Sequence, residues 1–479
     1  MGGSNLRSKS RRTFLKTGAA VATGFFIANN VHAQDEPTWP PALRGAKNGT
    51  VTLRSDRFLE VPDAVAKTRM AEGAAAFTVA KEVPTVDLAF HGNLGANAIG
   101  RRLWSTWGDI CLASDGKVYV GLGDHADDAG GDARCFIYAW NPVSKTLDQV
   151  VDMNRVIPPQ AGQPAWSKVH AKIDEGADNK IYFSCTLNDG NRAGNKNFRW
   201  TKTLPGGQLY QYDPAKRATT VFATLPNAPR CTATSLLDRQ RNVWWCNLEV
   251  GGNALWCLDM ATRKPIFQAP DGSMGFNRNF ALDRAGNVYY NGEKSTLWKF
   301  DRAKSRLVQT KANWGDSPGM RSSTRESRQG HIYGTTHGNA KMPRTRQLWR
   351  YTPARDELTM LGPDWLLGDY TTVTELSPDE RFIYYLPGAH GQAYLSGTPV
   401  IQYDIANARR KVIAFLSRAF EQAHDYIPAG TYGVKISADG GTLYVNFNGH
   451  PTKNLPKHIR PNGFGLCSFA AIHIPRGER

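Results

Sequence analysis

Four histidines occupy the same place in a repeated sequence pattern, and their side chains are well suited to chemistry. Each follows a short run in which an aliphatic residue precedes an aromatic one. His125, His337, His390 and His450 follow Val118-Tyr119, Ile332-Tyr333, Ile383-Tyr384 and Leu443-Tyr444. If each run is a strand of one repeating unit, the four imidazoles lie on one face. Neutral imidazoles that converge bind transition metals, whereas a single histidine in a loop is more often only hydrogen-bonded.

Further polar and aromatic residues stand where the first strand of each unit is expected. His170 lies in the run Lys168-Val169-His170-Ala171. The others are Trp107, Arg230, Arg278, Arg321, Tyr370 and Tyr432. A His or Tyr base beside an Arg or a metal can remove the proton α to a carboxylate, because the cation stabilises the charge that develops. The pattern does not distinguish which residue is the base.

The element that positions these residues is a repeat of four short strands, seen most plainly in Phe276 to Thr310. Turn-forming residues separate the strands, as in Asp283-Arg284-Ala285-Gly286. Beyond the four pairs above, the aliphatic–aromatic pair recurs as Ile181-Tyr182, Val243-Trp244 and Val288-Tyr289, making seven copies. Repeats of this kind predict an all-β protein, a seven-bladed β-propeller of four-stranded antiparallel blades.

The ring is predicted to close with a strand from the N-terminal region. The seventh repeat lacks a fourth strand, and an unpaired blade edge would leave backbone groups unsatisfied. Thr85 to Phe90 has the strand pattern that would fill this place. The alternative is that this region is only an irregular cap. The predicted organisation is a signal peptide over 1–33, an N-terminal extension over 34–105 and the propeller over 106–479.

The first thirty-three residues resemble a twin-arginine signal peptide. Ser10-Arg11-Arg12-Thr13-Phe14-Leu15-Lys16 is followed by an apolar run from Ala19 to Ala28 and the small-x-small site Val31-His32-Ala33. The apolar run is too short to span a membrane, which weighs against the alternative of an anchor. We expect a periplasmic or secreted protein, exported by the twin-arginine pathway, with no membrane span after cleavage.

The formal charge of +17 favours acidic partners over basic ones. Anionic polysaccharide and cell-wall polymer fit an exported protein, and nucleic acid would be bound only nonspecifically. The alternative is that the charge serves solubility. We expect an acidic polysaccharide or oligosaccharide as the partner, no specific nucleic acid, and a monomeric protein.

Seven cysteines leave at least one unpaired. Most lie in predicted strands, where a buried cysteine behaves as a small apolar residue. Cys231, Cys246 and Cys257 fall in three strands of one repeat, so a pair among them stays open. The sequence has no CxxC motif, which leaves haem attachment and a zinc ribbon unsupported.

Seven four-stranded repeats with His, Tyr and Arg at the loop face resemble the seven-bladed polysaccharide lyases of the oligogalacturonate and ulvan lyase type. The resemblance covers most of the chain at the level of the blade pattern. It implies β-elimination on a uronate-containing polysaccharide. By role, it implies His337, His390 and His450 as ligands of a divalent metal (Zn, Mn or Ca). It also implies a base among His125, His170, Tyr370 and Tyr432, with Arg278 or Arg321 meeting the carboxylate.

Three functions therefore stay open on the sequence. The first is a lyase acting on an acidic polysaccharide. The second is a noncatalytic propeller that binds a glycan or a protein in the cell envelope. The third is a metal-dependent hydrolase or oxidoreductase.

Overall fold

The computed structural model describes most of the chain beyond the N-terminal segment. The described residues are 39–69, 76–95, 98, 103–124, 133–158, 165–187, 207–225, 232–248, 254–338, 341–342, 345–453 and 464–479. The predicted signal peptide, Arg230, Cys231 and His125 lie outside these residues.

Seven blades of mainly antiparallel strands follow one another along the chain, and we number them one to seven; the inner strands of blade two form a separate two-stranded sheet. The strands of blades one and two are Trp104–Ser105, Cys111–Leu112, Val118–Asp124, Cys135–Asn141 and Thr146–Asp152, then Trp166–Lys168, Asp174–Glu175, Ile181–Ser184, Thr186–Leu187, Gln208–Asp213 and Ala218–Thr224. Those of blades three and four are Thr232–Asp238, Val243–Leu248, Ala254–Asp259 and Lys264–Gln268, then Ala281–Leu282, Val288–Asn291, Thr296–Asp301 and Arg306–Asn313.

The later blades have the same order of strands. Blades five and six contain Met320–Ser323, Ile332–Thr336, Gln347–Thr352 and Glu357–Pro363, then Thr374–Leu376, Phe382–Tyr385, Pro399–Asp404 and Arg409–Phe415. Blade seven contains Tyr426–Ile436, Thr442–Pro451 and Ser468–His473. The described helices are Asp63–Arg69, Met153–Val156 and Ser417–His424, with 3-10 turns at Asp56–Leu59, Ala393–Ser396 and Arg476–Glu478.

The core confirms that the blades form a ring of seven. Each pair of neighbouring blades shares one cluster of buried apolar side chains, and a further cluster joins blade seven to blade one. Val118 of blade one, for example, lies in the same cluster as Phe469 of blade seven. The aliphatic–aromatic pairs fill these clusters because successive strand residues face opposite sides of a sheet and so pack against both neighbouring blades. The predicted seven-bladed propeller is therefore the observed fold.

The predicted N-terminal strand closes the ring. Thr85–Phe90 pairs antiparallel with Ser468–His473 over six positions, so it is the fourth strand of blade seven rather than an irregular cap. Thr50–Arg54 then pairs with its outer edge as a fifth strand. Phe77–Val79 adds to blade six in the same way, as a parallel fifth strand beside Arg409–Phe415, which the sequence did not predict. These additions cover edges that would otherwise expose backbone donors and acceptors.

The innermost strand is interrupted in blades one and two. In blade one, Trp104–Ser105 and Cys111–Leu112 both pair with Val118–Asp124, and the residues between them leave the ladder. In blade two, the corresponding interruption separates Trp166–Lys168 from Asp174–Glu175. Trp107 and His170 lie in these interruptions, which turn their side chains towards the ring axis.

None of the helices among the described residues combines the length and the apolar character needed to cross a membrane.

Candidate functional site

A cavity of about 600 Å³ lies at the ring axis and is lined by residues of all seven blades. Seven of the nine predicted site residues line it: His170, Arg278, Arg321, His337, Tyr370, His390 and Tyr432. The structure thus brings these side chains together from blades two, four, five, six and seven. The roles assigned to them from the sequence stay predictions. We call this space the central cavity.

Trp107 of blade one forms an aromatic wall of the central cavity. Its ring stacks on Phe464 at a centroid distance of 5.5 Å and lies 4.9 Å from the ring of Tyr432. The rings of His170 and His390 lie at centroid distances of 5.9 and 6.0 Å. Nζ of Lys168 lies over the indole, 5.0 Å from its ring centre, so the half-buried Trp107 stands among aromatic and cationic groups.

Side chains from blades two and four meet at Arg278. Its Nη1 lies 2.9 Å from Nδ1 of His170, and because an arginine only donates, Nδ1 is the acceptor. The same guanidinium lies 5.0 Å from the ring centre of Phe276, which is half exposed despite its size. Phe276 in turn contacts His337 edge-on at 5.3 Å. Arg278 is thus held in place by both an imidazole and an aromatic face.

Arg321 lies deeper, behind two tyrosines. Its guanidinium carbon is 5.1 Å from the ring centre of Tyr370 and 5.6 Å from that of Tyr432, and only 5% of the residue is exposed. Nη1 donates to the carbonyl of Thr372 at 3.1 Å. Burial, together with the neighbouring Tyr370, raises the pKa of Tyr432 well above its ordinary value. The Tyr432 hydroxyl therefore stays protonated and is available as a donor.

His337 is held neutral at the cavity wall. Burial lowers its pKa to about 4, and the positive charges of Arg321 and Arg278 lower it in the same direction. Its ring lies 4.3 Å from that of Tyr370. A neutral imidazole can accept a proton, although so low a pKa makes it a weak base at neutral pH.

His390 lies in the loop that follows the second strand of blade six, with a left-handed backbone φ of 54°. Its Nδ1 is 3.8 Å from Oδ2 of Asp369, and the amide of Gln392 donates to the same oxygen at 2.8 Å. Its Nε2 makes a long contact of 3.5 Å with the Tyr370 hydroxyl. Gln392 thus positions the carboxylate of Asp369 beside the His390 ring. The sequence did not predict this role for either residue.

His450 is not part of the central cavity. The second strand of blade seven continues to Pro451, so His450 still pairs with Ile427 instead of entering a loop. Its ring is buried beside Tyr394, 6.2 Å away, and its Nδ1 lies 3.2 Å from the Pro451 carbonyl oxygen. An equal distance along the sequence therefore did not produce an equal position in the ring.

The structure does not assemble the predicted metal triad. His337 and His390 line the central cavity without His450, and His125 lies outside the described residues. Within the part of the chain that the structure describes, no three His, Cys, Asp or Glu side chains are grouped so that they would hold a metal ion.

The lining of the central cavity also contains a charged cluster that the sequence did not predict, formed by Asp109, Glu375 and Lys435. Nζ of Lys435 lies 2.6 Å from Asp109 and 3.5 Å from Glu375, so the cluster joins blades one, six and seven. Burial alone would lower the pKa of Lys435, but the two carboxylates raise it. Burial also raises the pKa of Glu375, and Lys435 opposes that change. The charges of this cluster are largely satisfied internally, which leaves the arginine half as the positive end of the cavity.

Comparison with known proteins finds only distant likenesses. No protein-family model and no curated protein sequence matches the chain. Among solved structures, the Pan2 WD40 domain of Neurospora crassa is 9% identical with a TM-score of 0.44, covering 79% of this chain and 97% of that one. The RRP9 WD40 repeats are 10% identical with a TM-score of 0.47, covering 79% and 96%. A chain of the mitotic checkpoint complex is 11% identical with a TM-score of 0.46, covering 83% and 98%. These comparisons give no support to the resemblance to polysaccharide lyases.

Proposed function

We propose that the protein is a binding propeller whose central cavity takes a carboxylate-bearing sugar of an acidic polysaccharide or oligosaccharide. The observation that carries the proposal is the convergence of Arg278 and Arg321 with the rings of Trp107, Tyr370 and Tyr432 in one cavity. A guanidinium matches a carboxylate in shape and charge, and an aromatic face packs against the C–H face of a sugar ring. The volume of about 600 Å³ is in the range of small-ligand sites.

Arg278 is the residue best placed to meet the carboxylate. It lines the cavity beside Trp107 and His170, while the exposed Phe276 stands next to it. Arg321 is committed to the Thr372 carbonyl and lies behind the tyrosines, so it supplies long-range charge. A ligand stacked on Trp107 would direct an acidic group towards Arg278 and its hydroxyls towards Tyr432.

The proposed location agrees with this ligand. The twin-arginine segment around Arg11 and Arg12 supports a periplasmic or secreted protein, where anionic cell-wall and extracellular saccharides occur. Cleavage of the signal peptide would remove five of the seventeen net positive charges, and the formal charge of +12 that is left favours the approach of a polyanion. Binding should therefore weaken as the salt concentration rises.

Titration calorimetry with an oligogalacturonide tests the proposal. The matched ligand is the same oligosaccharide with its carboxyl groups reduced to alcohols. Arg263→Ala is the control for Arg278→Ala. Arg263 also lies over an aromatic ring, that of Phe222 at 5.1 Å, but it does not line the cavity. We expect Arg278→Ala and the reduced ligand each to weaken binding roughly tenfold or more, while Arg263→Ala does not. Equal binding of the acidic and the reduced ligand would overturn the proposal.

A second candidate function is β-elimination on the bound uronate, and the neutral His337 favours it. The base would take the proton from the carbon next to the carboxylate, the C–O bond to the leaving sugar would break, and a C=C bond would form between the two carbons. Arg278 or Arg321 would stabilise the enolate-like charge, and a tyrosine hydroxyl such as that of Tyr432 would protonate the leaving oxygen. Appearance of ultraviolet absorbance from an unsaturated uronate, lost in His337→Ala and Tyr432→Phe, separates this function from binding alone.

A further inference from the structure

Two buried cysteines meet at the seam between blades one and two. Cys135 begins the third strand of blade one, and Cys185 lies between Ile181–Ser184 and Thr186–Leu187 of blade two. Their Sγ atoms are 3.8 Å apart, although fifty positions separate them in the chain. Both side chains are fully buried in the apolar cluster that joins the two blades.

The seam around this pair is tightly packed, which holds the two sulfur atoms in place. Gly121 of blade one approaches so closely that a Cβ on it would lie 2.6 Å from Cβ of Val169 in blade two. Gly123, on the same strand, also has no room for a side chain, because a Cβ on it would overlap the backbone oxygen of Ser167. The contact between Cys135 and Cys185 is therefore set by two strands that cannot separate without opening the seam.

Among the three cysteines of blade three, Cys231 lies outside the described residues, and Cys246 and Cys257 do not have this geometry. Cys246 pairs with Trp256 in the ladder of blade three, so Cys257 is one position away and faces the other side of the sheet. Accordingly, Cys246 packs in the cluster shared with blade two, and Cys257 packs in the cluster shared with blade four. Neither residue is part of a disulfide in the structure.

We infer that Cys135 and Cys185 form an inter-blade disulfide when transient opening of the seam between blades one and two exposes the two buried thiols to a disulfide-bearing oxidant. A disulfide bond is about 2 Å long, so each sulfur needs to move by only about 1 Å, within reach of a small side-chain rotation. In the first step, one thiol loses its proton and attacks a sulfur of the oxidant, forming a mixed disulfide and releasing one thiolate. The second cysteine then displaces the other half. Two cysteine sulfurs are oxidised, two sulfurs of the oxidant are reduced, and the two protons leave on the released thiols.

The bond would add a covalent link between two neighbouring blades that already share packing and hydrogen bonds, such as the one from the Ile173 N–H to the Asp109 carbonyl at 3.1 Å. It would close a loop of about fifty residues, which lowers the entropy of the unfolded chain and so stabilises the fold. The twin-arginine segment makes the setting reasonable, since the protein would fold before export and meet oxidants afterwards. This inference does not depend on what the central cavity binds.

Peptide mapping of the full-length protein, purified reduced and then incubated with oxidised glutathione, tests the inference. Alkylating free thiols after unfolding without reductant distinguishes paired from unpaired cysteines. We expect one linked peptide containing Cys135 and Cys185, two hydrogen atoms lighter than the sum of its parts, with Cys246 and Cys257 alkylated. Melting of the oxidised protein should occur a few degrees higher than that of the reduced protein, and reductant should reverse the shift.

Two variants keep the result interpretable. In Cys185→Ala the oxidant should no longer raise the melting temperature, whereas in Cys246→Ala it should act as in the wild type. If Cys135 and Cys185 are both alkylated after incubation, or if the linked peptide contains a different pair, the inference is wrong. A glutathione adduct on either cysteine that does not resolve to the pair would equally contradict it.

Discussion

Arg278 of blade four donates a hydrogen bond to Nδ1 of His170 in blade two across 2.9 Å. The two residues are 108 positions apart in sequence and meet because both line the central cavity, where only blade three separates their blades. Since the guanidinium occupies Nδ1, the imidazole carries its proton on Nε2. Arg278 is therefore held in one orientation, with its charge directed into the cavity beside Trp107.

Removing the acceptor on His170 should weaken ligand binding without unfolding the protein. In His170→Leu the guanidinium loses its partner and has to be ordered by the ligand, so we expect a loss of affinity for an oligogalacturonide of roughly threefold to tenfold. His170→Asn retains an acceptor close to the position of Nδ1 and should recover most of it. Calorimetry on both variants, with melting curves as the control, measures the difference. Equal loss in both would show that the hydrogen bond does not position Arg278.

Stability should fall as the pH drops from about 6.5 to about 4, and His91 should account for much of the fall. Burial lowers the pKa of His91 from 6.5 to about 4. The unfolded chain therefore takes up a proton in this interval before the folded chain does, which costs roughly 3 kcal/mol by pH 4. His91→Phe removes the titrating group from the edge of the Tyr138 ring. Denaturant unfolding across this interval should give a flatter pH dependence, and an unchanged slope would contradict the assignment.

Asp87 should stabilise the strand that closes the ring. Burial alone would raise its pKa, but hydrogen bonds from His473, Lys145 and Thr52 lower it to about 2. The stability is therefore present above the ordinary pKa of 3.8 and is lost as the pH falls towards 2. Asp87→Asn should lose roughly 2 kcal/mol at neutral pH.

The check on Asp87 is denaturant unfolding at pH 7 and at pH 3. The difference in the free energy of unfolding between wild type and Asp87→Asn should be smaller at pH 3, because part of the wild-type Asp87 is then protonated and no longer carries its negative charge. Thr85→Ser, on the same strand, serves as a control without a charge change. A constant difference at both values would mean that packing, and not the charge of Asp87, stabilises the closure.

The seam between blades one and two should tolerate no added methyl group at Gly121. A Cβ there would meet that of Val169 at 2.6 Å, and relief requires the strands to separate. We expect Gly121→Ala to lower the free energy of unfolding by roughly 1–3 kcal/mol. Gly92→Ala is the matched control, since a Cβ at Gly92 has no heavy atom within 4 Å. Thermal melts of both variants measure the difference. Equal melting temperatures would show that the contact between Gly121 and Val169 has room for a methyl group.

The fold was predictable because its signals are local and repeated. An aliphatic–aromatic pair such as Val288-Tyr289 marks a strand buried on both faces, and seven copies imply a ring. The closing strand at Thr85–Phe90 was predictable from the missing edge of blade seven. The extra strand Phe77–Val79 was not, because three residues carry too little pattern and their partner lies over three hundred positions away.

The site was predictable in its members but not in its contacts. The positions of His337 and His390 after the second strand of their blades predicted that both face the loop side of the ring, and both line the central cavity. The same count failed for His450, because the strand there continues past the usual end and keeps the residue in the ladder. The cluster of Asp109, Glu375 and Lys435 depends on where three different blades meet, and no spacing in the sequence records that.

A crystal structure of the protein with a bound oligogalacturonide would show whether the central cavity binds the uronate. We expect a sugar ring stacked on Trp107, with its carboxylate oxygens within hydrogen-bond distance of Arg278, roughly 2.7–3.2 Å. Density for the sugar elsewhere on the propeller, with the central cavity empty, would contradict it.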